Sequence, residues 1–345
     1  ALEIILNDER IDAAIVINTP TFAAAPADVA SVLETVATRA TKPIVGCFLA
    51  WPDLPPLLDS HPDGSAVPAF SSPEPAARAI ARAVTYSEWK QRPPGSIPGL
   101  DGFDGARATE LLDEWSTERP EGGWLRDEQV EALLATIGVP ALASASVTGP
   151  EVAARHGTQI GFPVALKAIG PDIVHKSDVG GVRLGLATAS AVQGAYEEMA
   201  AQLGPAMTGA MVQQMAEPGV ETIIGVVLDP LFGPLVMFGL GGVAAELLHD
   251  RSFRILPVTD ADASELVRSL KASPLLFGYR GAPPAAVEAL EALLQRIGRL
   301  ADLSPHLTEL DLNPVIVSTT AAQIADARIR IGARAIETRT SSGGS

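Results

Sequence analysis

"VETIIGVVLDPLFGPLVMFGL", residues 220–240, sets the architecture of the second half of the chain. Two apolar runs, 220–229 and 234–240, flank "DPLFGP", a stretch of turn-forming residues. A tight turn between two such runs predicts an antiparallel strand pair. The neighbouring segments repeat the pattern. Strands are expected at 163–169, 181–187, 209–214, 252–258, 309–317 and 322–330, with helices at 149–160, 189–203, 261–271 and 284–302. "LRDEQVEALLATIGVP" (125–140) gives one more helix, closed by Gly138 and Pro140. This half is therefore expected to be α+β, with a sizeable mixed or antiparallel sheet.

Residues 1–90 alternate differently. "DAAIVIN" (12–18), "KPIVGCFLA" (42–50) and "AVPAF" (66–70) are short apolar runs, with helix-like stretches at 27–39 and 73–90. Alternating strands and helices with near-continuous apolar strands predict a small doubly wound α/β domain on a parallel sheet. The Pro- and Gly-rich residues 91–123 are expected to be a linker with one helix near 104–116. Both ends read as cuts in a longer polypeptide: the chain opens within a helix-like pattern, and residues 336–345, closing on "TSSGGS", read as a flexible tail.

The 345 residues carry 47% apolar and 19% charged side chains, with a net charge of −16. That charge argues against nucleic acid or an anionic membrane as partner, although local cations and a metal can still hold a phosphate-bearing ligand. No run approaches the about 18–20 apolar residues of a membrane span. Cys47, the single cysteine, lies in "PIVGCFL" and reads as a buried structural thiol. The expected compartment is the cytoplasm.

The polar residues within apolar strands carry the candidate chemistry. Lys167, in "FPVALKAIG", either reaches solvent from a strand end or points into a cleft towards an anion, because a buried unpaired lysine is costly. "HKSDVGGV" follows. Gly180 and Gly181 form a hairpin turn or let backbone amides approach phosphate oxygens, to which the loop's Lys and Ser can add donors. His175 is either an inert loop histidine or a nucleophile, since neutral imidazole is competent near pH 7. Glu221 and Glu246 either hold metal or ribose hydroxyls or solvate strand ends. If 309–317 and 322–330 pair, Asn313 and Asp326 meet on one face beside Asp311, and such hard oxygen ligands suit Mg²⁺ shared with a nucleotide. No zinc spacing and no GxSxG nucleophile motif occurs in the sequence.

Taken together, Lys167, "VHKSDVGG", "QMAEPGVETIIGV", "DPLFGPLVMFGLGG", "LLFGYRG" and "ELDLNPV" resemble the NDP-forming acyl-CoA synthetase superfamily, in its ADP-forming acetyl-CoA synthetase branch. The resemblance runs almost continuously from about 124 to 331. It implies a flavodoxin-like, CoA-ligase-type domain at 1–90, truncated at its start, and an ATP-grasp fold at 124–335. It also implies roles: Lys167 and the glycines at 180 and 181 on ATP phosphates, Glu221 at the nucleotide end, and Gln213, Gln214 and Met215 around adenine. Asn313 and Asp326 would bind Mg²⁺ with Asp311 in support. His175 would be a phosphohistidine that relays phosphoryl to another histidine. Glu246 and the glycines at 239, 241 and 242 would border that second histidine's docking place.

The implied activity couples acyl-CoA thioester formation or cleavage to ATP/ADP, with Mg²⁺ and, in the complete enzyme, CoA. The CoA-binding domains would lie elsewhere in the polypeptide or in a partner subunit, in a homo-oligomer or heteromer. Gln214 stands where the branch commonly has an acid. Two other readings remain open: a regulatory acyl-CoA- or nucleotide-sensing module of a protein acetyltransferase, and an ATP-grasp ligase that makes an acyl phosphate directly.

Overall fold

The computed structural model describes residues 1–19, 26–49, 67–171, 173, 176, 179–242 and 250–332. They form two units, Ala1–Pro93 and Pro94 onward.

In the first unit a short helix α1 (Leu2–Leu6) precedes β1 (Ala14–Asn18), α2 (Pro26–Ala37), β2 (Ile44–Phe48), β3 (Ala69–Phe70) and α3 (Pro73–Gln91). The strands lie in the order β1-β2-β3 and are parallel, as the near-continuous apolar runs require. Every residue of β2 is buried. Leu33 and Val36 of α2 pack against Ile44 and Phe48. Cys47 is fully buried and desolvation pushes its thiol up, so it is a structural residue and not a nucleophile.

The second unit contains α4 (Gly105–Glu118), β4 (Gly123–Trp124), α5 (Asp127–Thr136), β5 (Ser144–Val147), α6 (Pro150–Ile160), β6 (Val164–Ile169), β7 (Val182–Leu186) and α7 (Ala189–Leu203). It continues with β8 (Gly209–Gln214), β9 (Val220–Asp229), β10 (Gly233–Leu240), β11 (Arg251–Ile255), α8 (Asp260–Arg268), α9 (Val287–Leu303), β12 (Leu307–Val317), β13 (Ala322–Ile324) and β14 (Ala327–Ile331). Two sheets result. Strands β5-β8-β6-β7 form an antiparallel sheet on which α6 and α7 close a small core around Leu166, Val192, Met199 and Val212. Strands β11-β10-β9-β12-β14-β4 form a larger sheet, with β13 paired to β12. Its main core joins Ile224, Val226, Phe238, Leu310 and Ile329 of the strands to Leu112, Leu133, Leu266 and Ile297 of α4, α5, α8 and α9.

The hairpin of 220–240 pairs Asp229 with Gly233 and Leu240 with Thr222. Asp229 Oδ1 accepts the turn amides of Leu231 and Phe232 at 2.8 and 2.9 Å, which explains the acid at the first turn position. At the other end of β9 the chain turns through Gly219. A Cβ there would lie 2.3 Å from the Val317 carbonyl oxygen of the paired strand. Gly219→Ala is therefore expected to destabilise the unit by about 1–3 kcal/mol, read as a lower denaturant midpoint.

Two expectations need correction. The stretch 91–123 is not a spacer: from residue 94 it belongs to the second unit, and α4 buries Ala108, Leu111, Leu112 and Trp115 in the main core. The helix expected near 104–116 is present, but it packs its apolar face against α5 and α9 in the main core and does not span a spacer. The strand expected at 322–330 is two strands, β13 and β14, separated at Ala325 and Asp326. Opposite the break lies Pro314, which has no N–H for the ladder, and the β12–β9 register shifts there between Leu312 and Val315. The short edge strand β5 was not expected. Its "SASV" has little apolar signal, and only Val147 is buried.

Candidate functional site

Lys167 sits in β6 between Leu166 and Ala168, both fully buried in the small core. Alternation along the strand turns the lysine to the opposite face. It is buried, not a strand-end lysine in solvent. Its Nζ donates to the Ala325 carbonyl at 2.6 Å and lies 3.7 Å from Asp326 Oδ1. Both acceptors lie in the break between β13 and β14, so the lysine bridges the two sheets. Desolvation lowers its pKa; the Asp326 charge opposes that shift and the Lys176 charge adds to it.

Asp326 is opposite Asn313, as antiparallel pairing of the two segments predicts. The register runs Leu312↔Ala327 and Val315↔Ile324, and Asn313 N donates to the Asp326 carbonyl at 3.1 Å. Two residues before Asn313 on β12, Asp311 pairs across the ladder with Arg328 of β14 and with Gly225 of β9. Burial pushes its carboxyl up; Arg328 counters this, and the charges of Asp326 and Glu309 add to it. Asp311, Asp326 and Asn313 thus offer hard oxygens, and the two carboxylates repel one another. A divalent cation would relieve that repulsion, so the donor set fits Mg²⁺.

The raised pKa of Asp311 has a stability consequence. A carboxyl raised in the fold contributes stability fully below its unfolded pKa and loses it as pH rises through the folded value. Ionised Asp311 is therefore a net cost at neutral pH. Asp311→Asn is expected to raise the melting temperature at neutral pH and to gain nothing in acid. Thermal melts at both pH values check this; equal gains at both would contradict it.

Gln213 is buried on β8, opposite Ser144 and Ala165. It shares a cleft with Asp127, Glu131, Lys176 and Asp326. Gln214 is exposed, its amide donating to the Ala143 carbonyl at 2.8 Å, and Met215 is half-buried just past the strand. The structure thus gathers Lys167, Gln213, Asn313 and Asp326, with Asp311 coupled electrostatically to them. Glu221 stands apart from this group. It is exposed at the start of β9, its carbonyl accepts Gly241 N at 2.8 Å, and a Cβ on Gly241 would come within 3.0 Å of its own Cβ. Gly181 closes the turn after Lys176: its amide donates to the Lys176 carbonyl at 2.6 Å, and its carbonyl accepts Ala168 N at 2.8 Å. A Cβ on Gly181 would lie 2.9 Å from that Lys176 oxygen. Gly180, at φ +72°, gives its carbonyl to Arg183 at 2.6 Å. His175 and Glu246 lie outside the described residues.

Two contributors escaped the sequence reading. Lys176, seen there only as a possible phosphate donor, places Nζ 3.6 Å from Asp326 Oδ1. Glu131 accepts the Ser144 hydroxyl at 2.8 Å on the cleft wall. Their places on the cleft wall have no local signal, because the pairing of Lys176 with Asp326 and of Glu131 with Ser144 is set by the fold. A wider cleft in the first unit, between α2 and α3, is lined mainly by apolar side chains, and Lys42 there is committed to the Asp8 carbonyl at 2.7 Å. The charged cleft of the second unit is the better candidate. Among the described residues no three His, Cys, Asp or Glu side chains converge on a metal position, and no helix is long and apolar enough to cross a membrane.

Residues 117–331 match the family model described as "ATP-grasp domain". The chain is 35% identical over 350 residues to the ADP-forming acetate–CoA ligase I of Archaeoglobus fulgidus, a match covering 96% of this chain and 48% of the relative. It is 36% identical over 230 residues to the ADP-forming acetate–CoA ligase I subunit beta of Pyrococcus furiosus, covering 65% of this chain and 97% of that subunit. Among solved structures it resembles the dinucleotide-forming acetyl-coenzyme A synthetase 1 of Ca. Korarchaeum cryptofilum, in complex with coenzyme A and Mg-AMPPCP, its phosphohistidine segment pointing towards the nucleotide binding site. That match has a TM-score of 0.56 and 39% identity, over 65% of this chain and 99% of that one. The chain thus spans about half the length of the Archaeoglobus relative and nearly all of the Pyrococcus subunit.

Proposed function

The chain belongs to the ATP-grasp family, in the branch of the ADP-forming acetyl-CoA synthetases, and from that premise we propose that its second unit binds Mg–ATP or Mg–ADP and passes phosphoryl through His175 in an acyl-CoA synthetase. The observation that carries this reading is Lys167, a buried cation held against Asp326, a residue of the cleft wall. A lysine kept there at a desolvation cost has a use when polyphosphate arrives.

Phosphoryl transfer depends on positioning and charge neutralisation more than on covalent machinery from the protein. Lys167 supplies one fixed positive charge beside the phosphates. Asp326 and Asn313, supported by Asp311, would hold Mg²⁺, which supplies neutralisation of the phosphate oxygens when bound. With no three carboxylate or imidazole ligands gathered among the described residues, the cation would rest on one or two carboxylates and complete its shell with phosphate oxygens and water. Gln213, with Gln214 and Met215 following, would border the base. The amides of Gly180 and Gly181 would approach the phosphates, and Glu221 would serve the outer end of the nucleotide. In the forward step the His175 imidazole nitrogen forms a bond to the γ-phosphorus, the bridging P–O bond breaks, and ADP leaves with its electron pair.

The remaining chemistry, in which CoA and the acyl group react, belongs to CoA-binding domains in the same polypeptide or a partner subunit, within an assembly of more than one copy in the cytoplasm. The test is direct. Incubated with Mg²⁺ and γ-labelled ATP, the chain is expected to acquire an acid-labile, base-stable protein phosphate. Binding of nucleotide without label, in the chain and in the full-length protein, would instead favour a nucleotide-sensing module.

A further inference from the structure

Asp326 faces more positive charge than the nucleotide reading requires. Lys167 and Lys176 approach the same carboxylate oxygen, at 3.7 and 3.6 Å. The two lysines are not equivalent. Lys167 is fixed on β6, its side chain 8% exposed and its Nζ bonded to the Ala325 carbonyl. Lys176 reaches Asp326 from a turn, its side chain is 20% exposed, and among the described residues Asp326 is its one ion-pair partner. Its backbone is nevertheless tethered. The Lys176 carbonyl accepts Gly181 N at 2.6 Å, and Gly181 is bonded in turn to Ala168, the residue after Lys167. The ammonium of Lys176 is thus delivered to Asp326 while remaining free to swing into the cleft that it lines with Gln213.

A divalent cation and two ammonium groups cannot share one carboxylate oxygen without strong repulsion. Lys167 cannot withdraw, because it is buried and bonded. Lys176 can. We propose that Lys176 is a positioning residue that occupies the cation-binding face of Asp326 in the empty site, so that a divalent cation enters only together with phosphates that take over the lysine's ammonium. The identity of those phosphates rests on the nucleotide reading above. The competition between Lys176 and the cation is a property of the empty site and does not depend on it.

The experiment measures Mn²⁺ binding to the whole chain without nucleotide, from the electron paramagnetic resonance signal of the free ion. Lys176→Met and Lys176→Gln are expected to bind Mn²⁺ roughly two- to fivefold more tightly than the native chain, the upper part of the range for one partly exposed ion pair. Lys176→Arg should behave like the native chain, and Asp326→Asn placed on Lys176→Met should abolish the gain. Adding the non-hydrolysable analogue AMPPCP should narrow the gap between the native chain and Lys176→Met. A purely structural lysine would give neutral variants that bind Mn²⁺ no better, which would overturn the proposal. A gain that survives Asp326→Asn, or a gap that AMPPCP leaves unchanged, would overturn it as well. If the native chain fails to bind Mn²⁺–AMPPCP at all, the nucleotide reading falls, while the nucleotide-free comparison still decides the role of Lys176.

Discussion

Replacing Lys167 by methionine is expected to weaken Mg–AMPPCP binding by about two orders of magnitude, in line with the loss of one preorganised charged donor in a water-poor site. Methionine keeps the length of the side chain and fills the same apolar surroundings on β6, so the change is one of charge. Burial lowers the pKa of this lysine, so its contribution to stability is present above the unfolded value and lost as pH falls through the folded one. Methionine removes that loss but also takes the buried donor from the Ala325 carbonyl and from Asp326, so the melting temperature at neutral pH is expected to fall modestly. Lys167→Arg should not rescue binding, because the planar guanidinium does not fit a slot whose ammonium donates to Ala325 at 2.6 Å. Calorimetric titration with Mg–AMPPCP, read beside thermal melts, separates the outcomes. Native-like affinity in Lys167→Met would mean that the lysine only ties the two sheets together.

Replacing His175 by alanine is expected to remove the acid-labile phosphate completely while leaving Mg–AMPPCP affinity nearly unchanged. An imidazole near neutral pH offers a nucleophilic nitrogen, and its phosphoramidate is hydrolysed in acid and survives base. A second histidine, or a lysine such as Lys167 or Lys176, would give the same pattern of lability, and the chain has five histidines in all. His306 is partly buried near Asp113, with the ring Nε2 3.4 Å from Oδ1, and is not among the residues lining the cleft at Asp326. Persistence of the label in His175→Ala would therefore remove the relay from the "HKSDVGG" loop. An acid-stable label would point instead to a hydroxyl. Loss of label together with loss of nucleotide affinity would mean that the alanine variant damaged the pocket.

The legibility of the site varied with the kind of signal. Strand β9 begins after Gly219 and ends on Asp229, and strand β8 begins on Gly209 and ends as its apolar run gives way to Gln213 and Gln214, so the sequence marks these boundaries at the observed residues. The meeting of Asn313 with Asp326 also followed from sequence, because antiparallel pairing through a short turn leaves little choice of partner. Other features had no such marker. The split between β13 and β14 depends on Pro314 across the ladder and on Lys167 taking the Ala325 carbonyl, two residues far from the break along the chain. Helix α4 was legible as a helix, but the prolines and glycines around it signal a linker, and only its packing against α5 and α9 shows that it belongs to the core.

What the sequence determined by itself was the order of strands and helices, the division into an α/β and an α+β half, and the family motifs with their candidate residues. Those depend on local periodicity and on spacing along the chain, and both are written in the order of residues. Tertiary structure decided which charges face one another. It turned Lys167 from a lysine with two open readings into a buried cation 3.7 Å from Asp326, and it brought Lys176 to the same oxygen. The physical reason is that burial and Coulomb interaction depend on distance through space. Here that distance is set by two separate sheets meeting, which no local pattern records.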